Sequence, residues 1–310
     1  MSSKYTAPEF SPRFLLPRYW GVLLLVAVAK LCSMLPWKLQ FWLGKLLGRL
    51  SMKLMPKRRR TIASNLALCF PDMPLKQRQQ LERENIDNTG LALFETAMAW
   101  FWSDARVRRH IRCEGLAHLD TLKTQGRGVL LVAVHSLNLE LGGRAFGLHV
   151  SGLGVYRPNN NPCFDYFQYR GRTRGGHEMI HRRDVKSMLT SLRRGECVWY
   201  APDQDYGPRR HAFAPLFAVS QACTTTGTSL LVDATDCAIV PFTMVRDDNT
   251  GHYTLTLREP LVDVFPKNDP EAGARFINHV VEASILAAPG QYMWLHRRFK
   301  TRPEGQPSLY

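Results

Sequence analysis

Val129-Leu-Leu-Val-Ala-Val134, followed directly by His135-Ser-Leu-Asn-Leu-Glu140, decides how this chain is read. Six consecutive apolar residues, five of them valine or leucine, are the length and composition of a strand buried on both faces. The pattern then turns amphipathic, and residues 139–149 read as a helix. A buried strand running into a helix is half of a βαβ unit. The rest of the middle of the chain repeats the alternation: strands at 153–156 and 197–201, helices at 162–172 and 184–194, with Asp184 as an N-cap and Gly195 as the stop. Residues 224–235 read as a further helix. Residues 239–245 and 253–258 read as strands around the turn Asp247-Asp248-Asn249, and 272–288 as a final helix. The fold expected is α/β, a central mostly parallel sheet flanked by helices. Such sheets bind ligands beyond the carboxyl ends of their strands. Three polar residues fall there: His135, Arg157 and Asp203.

Working toward the N-terminus, residues 65–102 read as helices broken by a turn at Pro71 and Pro74. Residues 20–35 are apolar apart from Lys30, bracketed by Pro17 and Pro36, and slightly short of the ~20 residues of a straight span. Residues 37–55 alternate leucines and aromatics with Lys38, Lys45, Arg49 and Lys53, and Lys57-Arg-Arg-Arg60 follows. This is an amphipathic helix with a basic face, suited to a membrane interface. The positive excess behind the apolar run puts the main domain on the cytoplasmic side. The last ten residues, with Pro303, Gly305 and Pro307, read as extended coil.

The 310 residues carry 41 Lys+Arg against 26 Asp+Glu, a formal charge of +15, and 45% hydrophobic residues. A wholly disordered chain is excluded, and anionic partners are implied. Seven cysteines are scattered without a C-x-x-C, which opposes a disulfide framework and a cysteine zinc site.

His135 and Glu140 form an H-x4-E pair. On one continuous helix a five-residue offset leaves side chains about 140° apart, so the two meet only if His135 sits in the turn and Glu140 in the first turns of the helix. An imidazole held by a carboxylate has a fixed tautomer and is a better base. The nucleophile of a triad is missing: no G-x-S-x-G occurs, and Ser136 sits on no recognisable elbow. The economical chemistry is attack by a substrate hydroxyl, that is, acyl transfer to an alcohol without a covalent acyl-enzyme.

His177-Glu-Met-Ile-His181 matches the zincin pattern H-E-x-x-H. Gly175-Gly176 just before it and the helices on either side favour a short strand. A strand separates the two histidines by about 13 Å, too far to share a metal.

The stretches at 155–162, 199–208, 224–228 and 291–304, with His135 and Glu140, closely resemble the late acyltransferases of lipid A biosynthesis, the lauroyl, myristoyl and palmitoleoyl group, over nearly the whole chain. The lauroyltransferase branch looks nearest. The resemblance implies a glycerolipid-acyltransferase-like fold, with residues 1–60 a membrane anchor plus basic interfacial helix and 61–310 the catalytic domain. It implies a bacterial inner-membrane protein whose active site faces the cytoplasm. The donor it implies is acyl carrier protein, the acceptor a 3-hydroxyacyl hydroxyl of Kdo2-lipid IVA, with no cofactor, no metal and no nucleic acid. In this picture His135 is the base and Glu140 stabilises the imidazolium. Arg157 serves the oxyanion or a substrate phosphate. Asp203 and Asp205 position Arg157 or the sugar head, or simply shape the turn around Pro202 and Gly207. Arg172 and Arg174 belong to basic clusters available to the phosphates of the acceptor and the acidic carrier. Rival readings are a sibling with another chain or acceptor, and a non-enzymatic basic membrane-surface protein.

Overall fold

The structure, a computed structural model, describes residues 7–310; the first six residues of the expected anchor lie outside the described residues. The chain begins with helices α1 (Trp20–Met34), α2 (Trp37–Leu54), α3 (Pro56–Cys69), α4 (Leu75–Phe101) and α5 (Asp104–His110). Strand β1 (Ile111–Glu114) and α6 (Leu116–Thr124) lead into β2 (Val129–Val132), α7 (Leu139–Phe146), β3 (Leu153–Tyr156), α8 (Pro162–Thr173) and β4 (Glu178–His181). Then come α9 (Val185–Arg193), β5 (Cys197–Tyr200), β6 (His211–Leu216), β7 (Val219–Thr225), α10 (Gly227–Thr235), β8 (Ala238–Arg246), β9 (Tyr253–Leu257) and α11 (Pro270–Leu286).

Seven strands form one sheet in the order β1-β9-β8-β2-β5-β3-β4. All neighbours are parallel except β8 and β9, whose hairpin closes on the predicted Asp247–Asn249 turn. The α/β expectation therefore holds. β2 is central and wholly buried, because every one of its four residues packs into a cluster on one face or the other. Leu131 and Ala133 face the cluster beneath α7, while Leu130 and Val132 face the one beneath α9 and α10. β5 pairs with β2 along all four residues, but with β3 only through Leu153 opposite Val198 and Gly154 opposite Trp199. Past that point the sheet is split.

One reading is corrected, and one hairpin had no reading. Residues 224–225 end a strand, β7, and the helix begins only at Gly227. The alternation of β6 and β7 is interrupted by Pro215, which hid an antiparallel hairpin outside the main sheet.

α2 packs on the rest of the chain through a face that its apolar pattern does not announce, and its leucines stay outward as an interfacial helix requires. α2 buries the stripe Gln40, Gly44, Gly48 and Met52, not its leucines. Gly44 and Gly48 face Gly90 of α4 so closely that a Cβ on Gly48 would lie 2.2 Å from the Ile86 carbonyl oxygen. Trp42, Leu46, Leu50 and Leu54 are left exposed, continuous in character with Leu24, Leu31 and Met34 of α1. By length and composition, 17–34 is sufficient to cross a membrane. Residue 60, the expected domain boundary, lies inside α3. α4 is tied to the sheet by a buried ion pair, Arg246 Nη1 to Glu95 at 2.6 Å, which Tyr253 also reaches at 2.9 Å.

Candidate active site

The three strand ends named above do converge. β2 stops at Val132 because Ala133 makes the last sheet bond, donating to the Tyr200 carbonyl, and the chain then peels away to reach α7. His135 sits on that turn. Its main chain is clamped by the segment after α11: Met293 N–H donates to the His135 carbonyl at 3.0 Å, and Leu137 N–H to the Gln291 carbonyl at 2.8 Å. That segment is itself held by asparagine side chains on α3 and α4. Asn85 reaches the Tyr292 carbonyl at 2.6 Å, and Asn65 the Trp294 carbonyl at 2.7 Å. These amides satisfy carbonyls that no strand partner covers.

Asp203, just beyond β5, takes hold of His135. Its Oδ1 lies 2.7 Å from the ring Nδ1, and its Oδ2 accepts the His135 main-chain N–H at 3.0 Å and the Tyr292 hydroxyl at 3.0 Å. Nδ1 therefore carries the hydrogen, and Nε2 is left free to accept a proton. The Asp203 side chain is fully buried, whereas His135 keeps 24% of its side chain exposed. Burial opposes charge on both groups, but each partner's charge and hydrogen bonds outweigh it. The His135 pKa is raised, with Arg172 opposing, and the Asp203 pKa is lowered.

This corrects the expected pairing. Glu140 does not brace the imidazole; it is gripped by Arg172 of α8, whose Nε lies 2.9 and 3.1 Å from its two oxygens, with Nη2 also on Oε1. The Arg172 guanidinium also lies over the Tyr156 ring, 5.4 Å from its centroid. Burial disfavours the Arg172 charge, but Glu140 outweighs it and the pKa is raised. The H-x4-E spacing set both residues on one wall but could not reveal partners 32 and 68 positions away.

The other expected site residues divide. Arg157 is exposed on the cavity rim. The loop that carries it is shaped by Asp165, which accepts from the Asn159 N–H at 2.6 Å and from the Tyr156 hydroxyl. Asp205 is structural: it accepts from Gly207 N–H and from the main chain and hydroxyl of Thr301, pinning the C-terminal tail. Arg174 is used at the Trp100 carbonyl, 2.6 Å away, and does not line the cavity. His177 precedes β4 and His181 ends it, so the zincin pattern lies along a strand; His177 Nε2–H donates to the Gly143 carbonyl at 2.9 Å.

The cavity in front of His135 measures about 860 Å³. It enters the split between β5 and β3, and its walls come from both faces of the sheet: Phe146 and Trp199 on the α7 side, Val155, Met188 and Leu231 on the other. Its rim carries Arg157, Arg182, Arg183, Arg209 and Arg210. Ser136 points away from it into a separate small void beside Phe242 and Tyr292. Cys197 lines it, but burial pushes that thiol up to about 12, far from a reactive thiolate. Among the described residues no group of three or more His, Cys, Asp or Glu side chains forms a metal site.

A carboxylate-braced imidazole beside a large, largely apolar cavity, at the strand ends of a parallel sheet, defines an α/β protein built to handle apolar substrates. Comparison with known proteins makes this specific. The model of the bacterial lipid A biosynthesis acyltransferases matches residues 7–301, and the chain belongs to that family. It is 46% identical to the lipid A biosynthesis lauroyltransferase of Escherichia coli (strain K12), over 98% of this chain and 99% of that one. It is 41% identical to the palmitoleoyltransferase of the same organism over 97% and 98%, and 29% identical to its myristoyltransferase over 98% and 94%.

Proposed function

We propose that the protein transfers a lauroyl chain from acyl carrier protein to a 3-hydroxyacyl hydroxyl of Kdo2-lipid IVA, on the cytoplasmic face of the bacterial inner membrane. The observation that carries this is the Nε2 of His135, without a hydrogen-bond partner among the described residues, on a ring held by Asp203 at the mouth of a cavity with apolar walls on both faces of the sheet. Two walls suit two hydrocarbon chains, one from the donor and one from the acceptor. The acceptor hydroxyl gives its proton to Nε2 as its oxygen attacks the thioester carbonyl. The tetrahedral adduct then collapses, the C–S bond breaks, and the imidazolium returns the proton to the departing thiolate. Asp203 stabilises the imidazolium throughout. Glu140 and Arg172 form the adjacent wall and keep a cation near the developing oxyanion. The five rim arginines match the phosphates and carboxylates of the acceptor and the acid surface of the carrier. The exposed apolar faces of α1 and α2 supply the membrane contact.

The lauroyl chain follows the 46% identical relative; myristoyl or palmitoleoyl transfer is the second reading, since relatives with those names align over the same length. Direct transfer is tested by mixing the protein with radiolabelled lauroyl carrier protein. Without acceptor the label should remain off the denatured enzyme; with Kdo2-lipid IVA it should move to the lipid. Stable label on the enzyme would contradict direct attack.

A further inference from the structure

His177 takes no part in the chemistry above, yet it is buried and lines the same cavity. Its place follows from the sheet register. Gly154 lies opposite Met179 of β4 and opposite Trp199 of β5, which makes one row of side chains on the α7 face. The next row toward the strand starts is Gly152, His177 and Cys197. The Cβ position of Gly152 lies 3.6 Å from Cys197 Cβ and 3.8 Å from His177 Nδ1. α7 runs back down across these rows. Glu140 lies at the top and Gly143 faces the Trp199 row, its Cβ position 3.9 Å from the indole. Gly147 faces the lower row, its Cβ position 2.4 Å from His177 Nε2.

The cavity reaches from the upper row, lined by Gly143 and Trp199, to the lower one, lined by Gly152, His177 and Cys197. Four residues of extended chain separate Ala201, at the upper end of β5, from Cys197, a depth of about 13 Å. That is the reach of a medium-length acyl chain. The His177 imidazole is held in place. Nε2–H is tied to the Gly143 carbonyl, and the ring lies nearly parallel to Phe146, 5.8 Å between centroids and 10° between planes. Burial lowers its pKa, so the ring is neutral and can abut a terminal methyl group without a desolvated charge.

We infer that His177 is the floor of the acyl-chain channel and, with Gly143 setting its width, determines how long a chain the enzyme accepts. This rests on the acyl-transfer reading above. It also gives the H-E-x-x-H pattern a use without metal: period-two alternation puts His177 and Met179 on one face as floor and wall.

The test uses the full-length protein with Kdo2-lipid IVA and carrier protein charged with octanoyl, decanoyl, lauroyl, myristoyl or palmitoyl chains. His177→Ala removes the floor, and the kcat/KM ratio of myristoyl to lauroyl should rise about tenfold or more over wild type. Gly143→Ala places a methyl group midway down the channel at a helical site where alanine is favoured, so it folds even if His177→Ala does not. It should shift preference the other way, with the lauroyl to octanoyl ratio falling about tenfold. Folded variants that keep the wild-type chain profile would overturn the inference while leaving the acyl-transfer reading intact. Wild-type protein that transfers none of the five chains would remove that reading, and this inference with it.

Discussion

Asp203 holds His135 at two points, the ring Nδ1 at 2.7 Å and the main-chain N–H at 3.0 Å, so the carboxylate fixes both where the imidazole sits and which nitrogen it offers. Tyr292 occupies the remaining approach to Oδ2. With three hydrogen bonds accepted and no exposed side-chain surface, Asp203 would, in the proposed mechanism, stabilise positive charge on the ring without having to shed water.

Replacing the carboxylate by an amide keeps the shape and removes the charge. Asp203→Asn should lower kcat by on the order of 10³-fold or more, because the amide can present its N–H to Nδ1 and reverse the tautomer. The pH profile should move too. In the proposed mechanism activity needs neutral His135, so it should fall as pH falls through the imidazole pKa, which Asp203 raises. In the variant, burial and the Arg172 charge act unopposed, the pKa drops, and the acid limb should shift to lower pH. A rate–pH series on both proteins checks this; an unmoved limb would mean that it reports another group.

Tyr292→Phe removes one donor from Asp203 and leaves the other two in place. The expected loss is about 1.5–3 kcal/mol of stability, the range for a hydrogen bond to a charged group, read from chemical denaturation, with a modest fall in kcat.

Glu140 and Arg172 act as a unit. Removing either leaves the other a poorly paired charge beside His135, so Glu140→Ala and Arg172→Ala should each be severe. The double variant should be little worse than the more damaging single one. A double-mutant cycle in kcat/KM should therefore show strong non-additivity; additive losses would mean that the two residues act separately.

Gly48→Ala tests how the N-terminal helices are attached. Its methyl group meets the Ile86 carbonyl, a main-chain atom that cannot swing aside, and the change should cost about 1–3 kcal/mol. An unchanged melting temperature would contradict the close crossing of α2 on α4.

How much of this was legible in the sequence follows from the range of each signal. The β2 run, the 153–156 strand and the Asp184 cap were readable because burial and capping act within a few residues; Asp184 does accept from Ser187 N–H at 3.1 Å. The strand-end rule brought His135, Arg157 and Asp203 to one edge. It could not say that Asp203 would hold His135, because both carboxylates were within topological reach and nothing local reveals that Arg172 takes Glu140. The face of α2 that packs on the protein gave no signal for a related reason. Its leucines outweigh its glycines on any apolar scale, but Gly90 rewards close approach, so the small residues went inward and the leucines outward. The α3 and α4 asparagines gave no local signal at all, since their partners lie more than two hundred residues away.

The central claim is that His135 takes the proton from the acceptor hydroxyl. The most direct measurement is turnover of Kdo2-lipid IVA with lauroyl carrier protein by purified wild-type and His135→Ala proteins of matched melting temperature. The prediction is efficient lauroylation by the first and a loss of at least about 10³-fold by the second. A His135→Ala protein that turns over near the wild-type rate would contradict it.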